Sequence, residues 1–213
     1  HIRDEDAHVR RFVARAQHLP HIGGVWHAAG VLADGVLTKQ SAASLSRVCG
    51  PKAHGGRTLL RASAQLDLDT CALFSSVAAL LGGAGQSNYS AANAWLDALS
   101  AHRRTHGQAS VSVQWGAWAE VGMASRGAAS ERMAAMEAAT GFGRISLAQG
   151  LGAMHTATLP GAPSTLAMMP VQWHRVLGGD GAVPAFLSEM APRSTAVRDA
   201  PAAAQPTVVA SST

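Results

Sequence analysis

Four short apolar runs, "GGVWHAAGVL" (23–32), "TCALFSSV" (70–77), "SVSVQWG" (110–116) and "STLAMMPV" (164–171), alternate with segments of helical spacing. This alternation constrains the fold more than any other feature. Short buried strands separated by helices pair in parallel, because each return to the sheet needs a right-handed crossover that leaves helices on both faces. A chain with 47% hydrophobic and only 14% charged residues has the material for one sizeable core of this kind. In an open parallel sheet, ligands bind beyond the carboxyl ends of the strands.

The segments between the strands carry their own signals. Residues 5–17 place Val9, Phe12, Val13 and Ala16 on one helical face. A second helix is expected over about 40–64, holding Leu45, Val48, Leu59 and Leu60, with a kink or irregular start at Gly50-Pro51 and Gly55-Gly56. A third runs from Ser87 to His106 and is closed by Gly107. A small mobile helix is expected in 125–143 and another in 146–158. From Ser194 onward the chain is almost all Ala, Pro, Ser, Thr and Val, which reads as a linker, so the domain should occupy 1–192 and the linker 193–213.

Several function classes are disfavoured. No apolar run approaches the roughly 18–20 residues that span a bilayer. The charged opening "HIRDEDAHVRRF" has no apolar signal core, so a cytoplasmic protein without membrane attachment is expected. Cys49 and Cys71 have neither metal-ligand spacing nor a disulfide framework, and no metal site is expected. The densest basic group, "HRRTH" (102–106), ends a helix, where cations complement the dipole, and is not read as a nucleic-acid patch. The net charge of +4 leaves room for an acidic partner.

Chemistry concentrates in "LFSSVAALLGGAGQSNYSAANAWLDAL" (73–99). A strand ending in Ser75-Ser76 sets a hydroxyl at the rim of the sheet, and Tyr89 and Asn93 share a helix face at i and i+4. Reduction of a carbonyl needs a proton donor and a second donor holding the oxygen, and Tyr89 and Ser76 are of those types. A phenol of pKa about 10 is a slow acid unless a cation stabilises its phenolate. The chain has only two lysines, Lys39 and Lys52, and Lys52 in "VCGPKAHGG" is the candidate cation.

With these residues in place, the chain resembles the catalytic half of a ketoreductase domain of a type I polyketide synthase. "HAAGVLADGVL", "RVCGPKAHGG", "LFSSVAALLGGAGQSNYSAANAWLDALSAHRR" and "VQWGAWAEVGM" are similar to that family's motifs in order and spacing, over about residues 1–190. The resemblance implies a Rossmann-like short-chain dehydrogenase fold and a tetrad in which lysine and asparagine are exchanged relative to the wider superfamily. The tetrad would be Lys52, Ser76 24 positions later, Tyr89 13 after that, and Asn93. Tyr89 would donate the proton, Ser76 hold the carbonyl oxygen, Lys52 lower the tyrosine pKa and Asn93 steady the lysine or a relay water.

The implied cofactor is NADPH, contacted by Ala29 and Gly30 of the "HAAG" turn, by Lys52 and Tyr89, and by Gly116 and Trp118 of "WGAW". Trp115 reads as a core aromatic, and Trp26 and Trp95 as packing residues. Asp34, Asn88 and Met123 are the implied substrate and stereocontrol residues. Asp34 ends "LAD", where B-type reductases carry "LDD", and Asn88 also matches the B pattern. Ala33 and Ala84 depart from it, and Leu81 stands where A-type enzymes carry tryptophan. B-type stereochemistry is therefore expected.

The implied reaction is reduction of a β-ketoacyl thioester on an acyl carrier protein, among other synthase domains. Alternatives are a non-catalytic reductase module of a megasynthase or a fatty-acid synthase ketoreductase. No G-x-G-x-x-G turn occurs, and Gly82, Gly83 and Gly85 follow too late a strand to supply one. The N-terminal βαβ nucleotide-binding elements are thus expected to be missing from this chain.

Overall fold

A computed structural model describes residues 2–16, 21–121, 131, 135, 137, 139–179 and 181–191. Its center is a four-stranded sheet of β1 (Gly24–His27), β2 (Thr70–Ser76), β3 (Val111–Trp115) and β4 (Thr165–Met168), in sequence order and all parallel. The register aligns Trp26 with Ala72, Ser75 with Gln114, and Trp115 with Met168. The carboxyl ends of all four strands therefore lie on one edge.

The helices are α1 (Ile2–Ala16), α2 (Ala42–Cys49), α3 (Gly55–Ala62), α4 (Ala78–Leu81), α5 (Ser87–Thr105), α6 (Leu147–Thr158) and α7 (Trp173–Val176). Alternation along β2 and β3 divides the core. Ala72, Val111, Val113 and Trp115 pack with Ala153 and Ala157 of α6. Cys71 and Leu73 point the other way, onto Leu60 of α3 and Leu96 of α5. Both faces are covered, as parallel pairing requires.

The helix expected over 40–64 is three pieces, because Pro51 has no N–H to give a regular turn. Ser41 caps α2 through a reciprocal pair of bonds with Ser44. Residues Gly50–His54 then widen into a π-helical turn, with the Gly55 N–H bonding the Gly50 carbonyl, before α3 resumes. Gly107, at φ +71°, follows the end of α5 as expected. Ser146 and Gln149 form a capping box at the start of α6.

Some expectations need correction. The first strand is only four residues long, and the chain from 28 to 36 leaves the sheet without regular structure. Trp26, expected to pack, is 53% exposed among the described residues, its ring lying along its own strand over Gly24. Phe12 is likewise exposed, so Val13 is the buried anchor of α1. Trp95 does pack against the Leu60–Leu96 cluster, and Trp115 is buried.

The helix expected in 125–143 falls largely outside the described residues, as does the linker. The chain divides into a unit spanning His1–Gln172 and a second from Trp173 to Thr213, whose described part holds α7 and a 3-10 turn at Ala185–Met190. Among the described residues, no helix is long and apolar enough to cross a membrane.

Candidate active site

The π-helical turn is what brings the lysine in. It rotates Lys52 toward the sheet, where the side chain is 4% exposed and its Nζ donates to the Phe74 carbonyl at 2.8 Å. The same ammonium lies 5.5 Å from the centroid of the Tyr89 ring. Taking an ammonium out of water is costly, and burial lowers the Lys52 pKa to about 8, with Asp97 pulling it upward.

Tyr89 is carried into place by α5, whose inner face also holds Asn93. The Asn93 Nδ2 donates to the Tyr89 carbonyl at 2.8 Å, while its Oδ1 is buried without a hydrogen-bond partner. Ser75 Oγ donates to the Asn93 carbonyl at 3.3 Å, tying α5 to β2. Ser76 ends the strand and accepts the Ala78 N–H at 3.2 Å, so its own hydrogen is left to donate.

The Tyr89 phenol titrates above its ordinary value. Desolvation by burial is the main cause, the Ser76 hydroxyl and Asn93 carboxamide beside the phenol lower it, and the Asp34 carboxylate raises it. The net direction is upward. The ammonium sits over the ring face, and burial dominates the balance.

Asp34 lies on an irregular loop that is strapped to the start of α5. The Gly35 N–H donates to the Gly85 carbonyl at 2.8 Å, where φ of +73° at Gly85 favours glycine. Gln86 Nε2 donates to Asp34 Oδ2 at 3.2 Å. Asn88, 1% exposed, donates from Nδ2 to the Ala33 carbonyl and to Gln40 Oε1 at 2.8 and 3.0 Å. Its Oδ1 accepts the Tyr89 N–H, so its polar atoms hold the loop and the helix together.

The remaining expected residues surround this group at the same sheet edge. Ala29 is exposed and Gly30 half-buried in the turn after β1. A Cβ at Gly30 would meet Lys52 Cε at 3.0 Å and Nζ at 3.3 Å, so the ammonium needs a bare backbone there. At Gly116 an added Cβ would come within 2.9 Å of Met169 Cγ, so strand packing by itself requires glycine. The Trp118 ring stacks near Trp115, with centroids 4.9 Å apart, and covers Gly150 of α6. That ring is engaged in the core. Met123 lies outside the described residues.

Sequence reasoning missed three neighbors. His27 ends β1 and its Nε2 pairs with the Pro51 carbonyl at 3.0 Å, while Nδ1 is buried without a partner. Gln40 joins Asn88, Gly35 and Ser44. Asp97 stands on α5 at i+4 from Asn93, a spacing that offered the signal to find it.

Comparison with known proteins follows this geometry. The model of the KR domain matches residues 2–120. Polyketide synthase GfsB of Streptomyces halstedii is 42% identical over 151 residues, which are 71% of this chain and 3% of that protein. Polyketide synthase GfsA of the same organism is 38% identical over 174 residues, 82% of this chain and 2% of that protein. The chain thus spans a few per cent of the length of these relatives. A solved structure described as A-type ketoreductases from a modular polyketide synthase superposes with a TM-score of 0.75 at 32% identity, covering 86% of this chain and 39% of that one.

A parallel Rossmann-like sheet of this order is the fold of the short-chain dehydrogenase/reductase superfamily. Within it, the chain belongs to the KR domain family, the ketoreductase domains of type I polyketide synthases.

Proposed function

We propose that this chain carries the catalytic half of an NADPH-dependent reductase acting on β-ketoacyl thioesters borne by an acyl carrier protein, with B-type stereochemistry. The observation that carries the reading is the buried Lys52 ammonium 5.5 Å from the Tyr89 ring, at the strand end occupied by Ser76. The donors beside it fit a nicotinamide cofactor: the Lys52 ammonium, packed against the bare backbone of Gly30, and the Tyr89 hydroxyl would hold it. When bound, that cofactor supplies the hydride.

The chain's own residues do the rest. Ser76 donates to the substrate carbonyl oxygen, its acceptor side being taken by the Ala78 N–H. Tyr89 delivers the proton to that oxygen. Lys52, its ammonium 5.5 Å from the ring centroid, is the cation that faces the phenolate left behind. The Asn93 Oδ1, an acceptor without a partner, suits a water that replenishes the proton. Asp34, on its strapped loop, faces the phenol as a substrate-side determinant.

The test uses the intact reductase domain that includes residues upstream of this chain. NADPH oxidation with a β-ketoacyl thioester is expected, and Tyr89→Phe should lower it by about 10²-fold or more. The 213-residue chain alone should be inactive for want of a glycine-rich phosphate turn. Full turnover by Tyr89→Phe would refute the assignment of the proton donor.

A further inference from the structure

Asp97 is conspicuous because its charge has no countercharge. Its Oδ1 accepts from Ser112 Oγ at 2.6 Å and its Oδ2 from Gln114 Nε2 at 2.8 Å. Both partners are neutral residues of β3, 0% and 8% exposed. Among the described residues Asp97 makes no ion pair, so its field is left to act across the interior, where water screens it poorly. It lies one further turn along α5 from Asn93, on the face that carries Tyr89 and Asn93. Ser112 and Gln114 pair in register with Leu73 and Ser75, so the carboxylate flanks the level of Phe74, whose carbonyl on the neighboring strand holds the Lys52 Nζ.

The groups around Lys52 leave few other sources of negative charge. Tyr89 of α5 presents its ring face, and β2 presents the Phe74 carbonyl. His27 of β1 bonds the neighboring Pro51 carbonyl, and its own charge is opposed by Lys52. His54 shares the π-helical turn and Cys49 ends α2. The charged residues of α2 and α3, Arg47, Arg57 and Arg61, are exposed cations. Asp34 bears on the phenol.

We propose that Asp97 is a positioning residue of the site: pinned to β3 through both carboxylate oxygens, it supplies the negative charge that keeps the buried Lys52 ammonium ionised. This rests on the reading of Lys52 as the cation of a reductase. Burial and Asp97 act on Lys52 in opposite directions, and without the carboxylate the burial would act alone. Ser112 and Gln114 fix where that charge sits. The aspartate thus sets the pH range over which Tyr89 has a cation beside it.

Because the chain has two lysines, Lys39 and Lys52, ¹³C-lysine labelling of the 213-residue chain gives two side-chain resonances to titrate by NMR, and Lys39→Arg assigns them. Asp97→Asn keeps hydrogen bonds to Ser112 and to a flipped Gln114 while removing the charge. Its Lys52 midpoint should fall by about half a unit to one unit, with the Lys39 midpoint unchanged. Ser112→Ala, which keeps the charge, should leave the Lys52 midpoint in place.

In the intact reductase domain, Asp97→Asn should move the alkaline limb of kcat/KM down by the same interval. An unmoved Lys52 midpoint in folded Asp97→Asn overturns the proposal. If that variant does not fold, Asp97→Ser carries the same expectation, and failure of both to fold overturns it too, leaving Asp97 a structural anchor. A shifted midpoint in a protein that reduces no thioester would keep the coupling and discard the reductase reading, so the two failures are distinguishable.

Discussion

At the scale of single residues, the site is governed by how burial treats an acid and a base differently. The sole tyrosine is pushed above 10 and Lys52 down to about 8, each because its charged form is poorly solvated. Spectrophotometric titration of the chain should therefore show phenolate appearing at higher pH than for free tyrosine. Lys52 is charged below about 8 and neutral above it, so its support for proton donation is present on the acid side and lost on the alkaline side. The kcat/KM profile of the intact reductase should fall as pH rises through about 8. Lys52→Met should be slow throughout the range and lack that limb. The four candidate residues were legible because each is chemically distinctive at a fixed spacing. The net direction of the tyrosine shift was not legible, because it depends on burial, which spacing does not encode.

At the scale of elements, the irregular pieces matter most. Gly50-Pro51 marked a break, and the structure makes it the π-helical turn that turns Lys52 inward. The identity of the break was readable, its π geometry was not, since that depends on what the turn packs against. His27 secures this turn through the Pro51 carbonyl in its neutral form. Its folded pKa is depressed below 6.5, chiefly by burial and also by Lys52. The unfolded chain then takes up the proton first, so this contribution to stability is full above about 6.5 and erodes as pH falls below it. Thermal unfolding at about pH 5.5 and 7.5 should show a larger loss of Tm for the native chain than for His27→Gln. The loop strap was invisible in the sequence for a different reason. Asn88 meets Gln40 and the Ala33 carbonyl across 48 and 55 positions, and that pairing exists only once α5 is in place.

At the scale of the whole unit, the alternation of strands and helices gave the parallel sheet and the covered faces, but not the strand order. Nor could it give which apolar residues end up outside. Trp26 is 53% exposed on β1, and exposure is decided by which elements lie alongside a strand rather than by its local pattern. Trp118 went the other way, into the contact between α6 and the sheet. A Cβ at Gly150 would fall within van der Waals overlap of that ring. Gly150→Ala, despite its better helix propensity, should destabilise the unit by about 1–3 kcal/mol, read as a lower urea midpoint with an unchanged slope.

The π-helical turn also has a consequence for how the site could fail. Ser76, Tyr89 and Asn93 belong to one strand–helix pair, whereas Lys52 comes from the crossover between β1 and β2. The reactive arrangement is therefore shared between two pieces of chain that need not open together. If residues 42–62 detach while β2 and α5 hold, three groups stay in register and the cation departs. Function would then be extinguished by a sub-global opening that leaves most of the sheet intact, and catalytic competence becomes a report on the docking of one crossover.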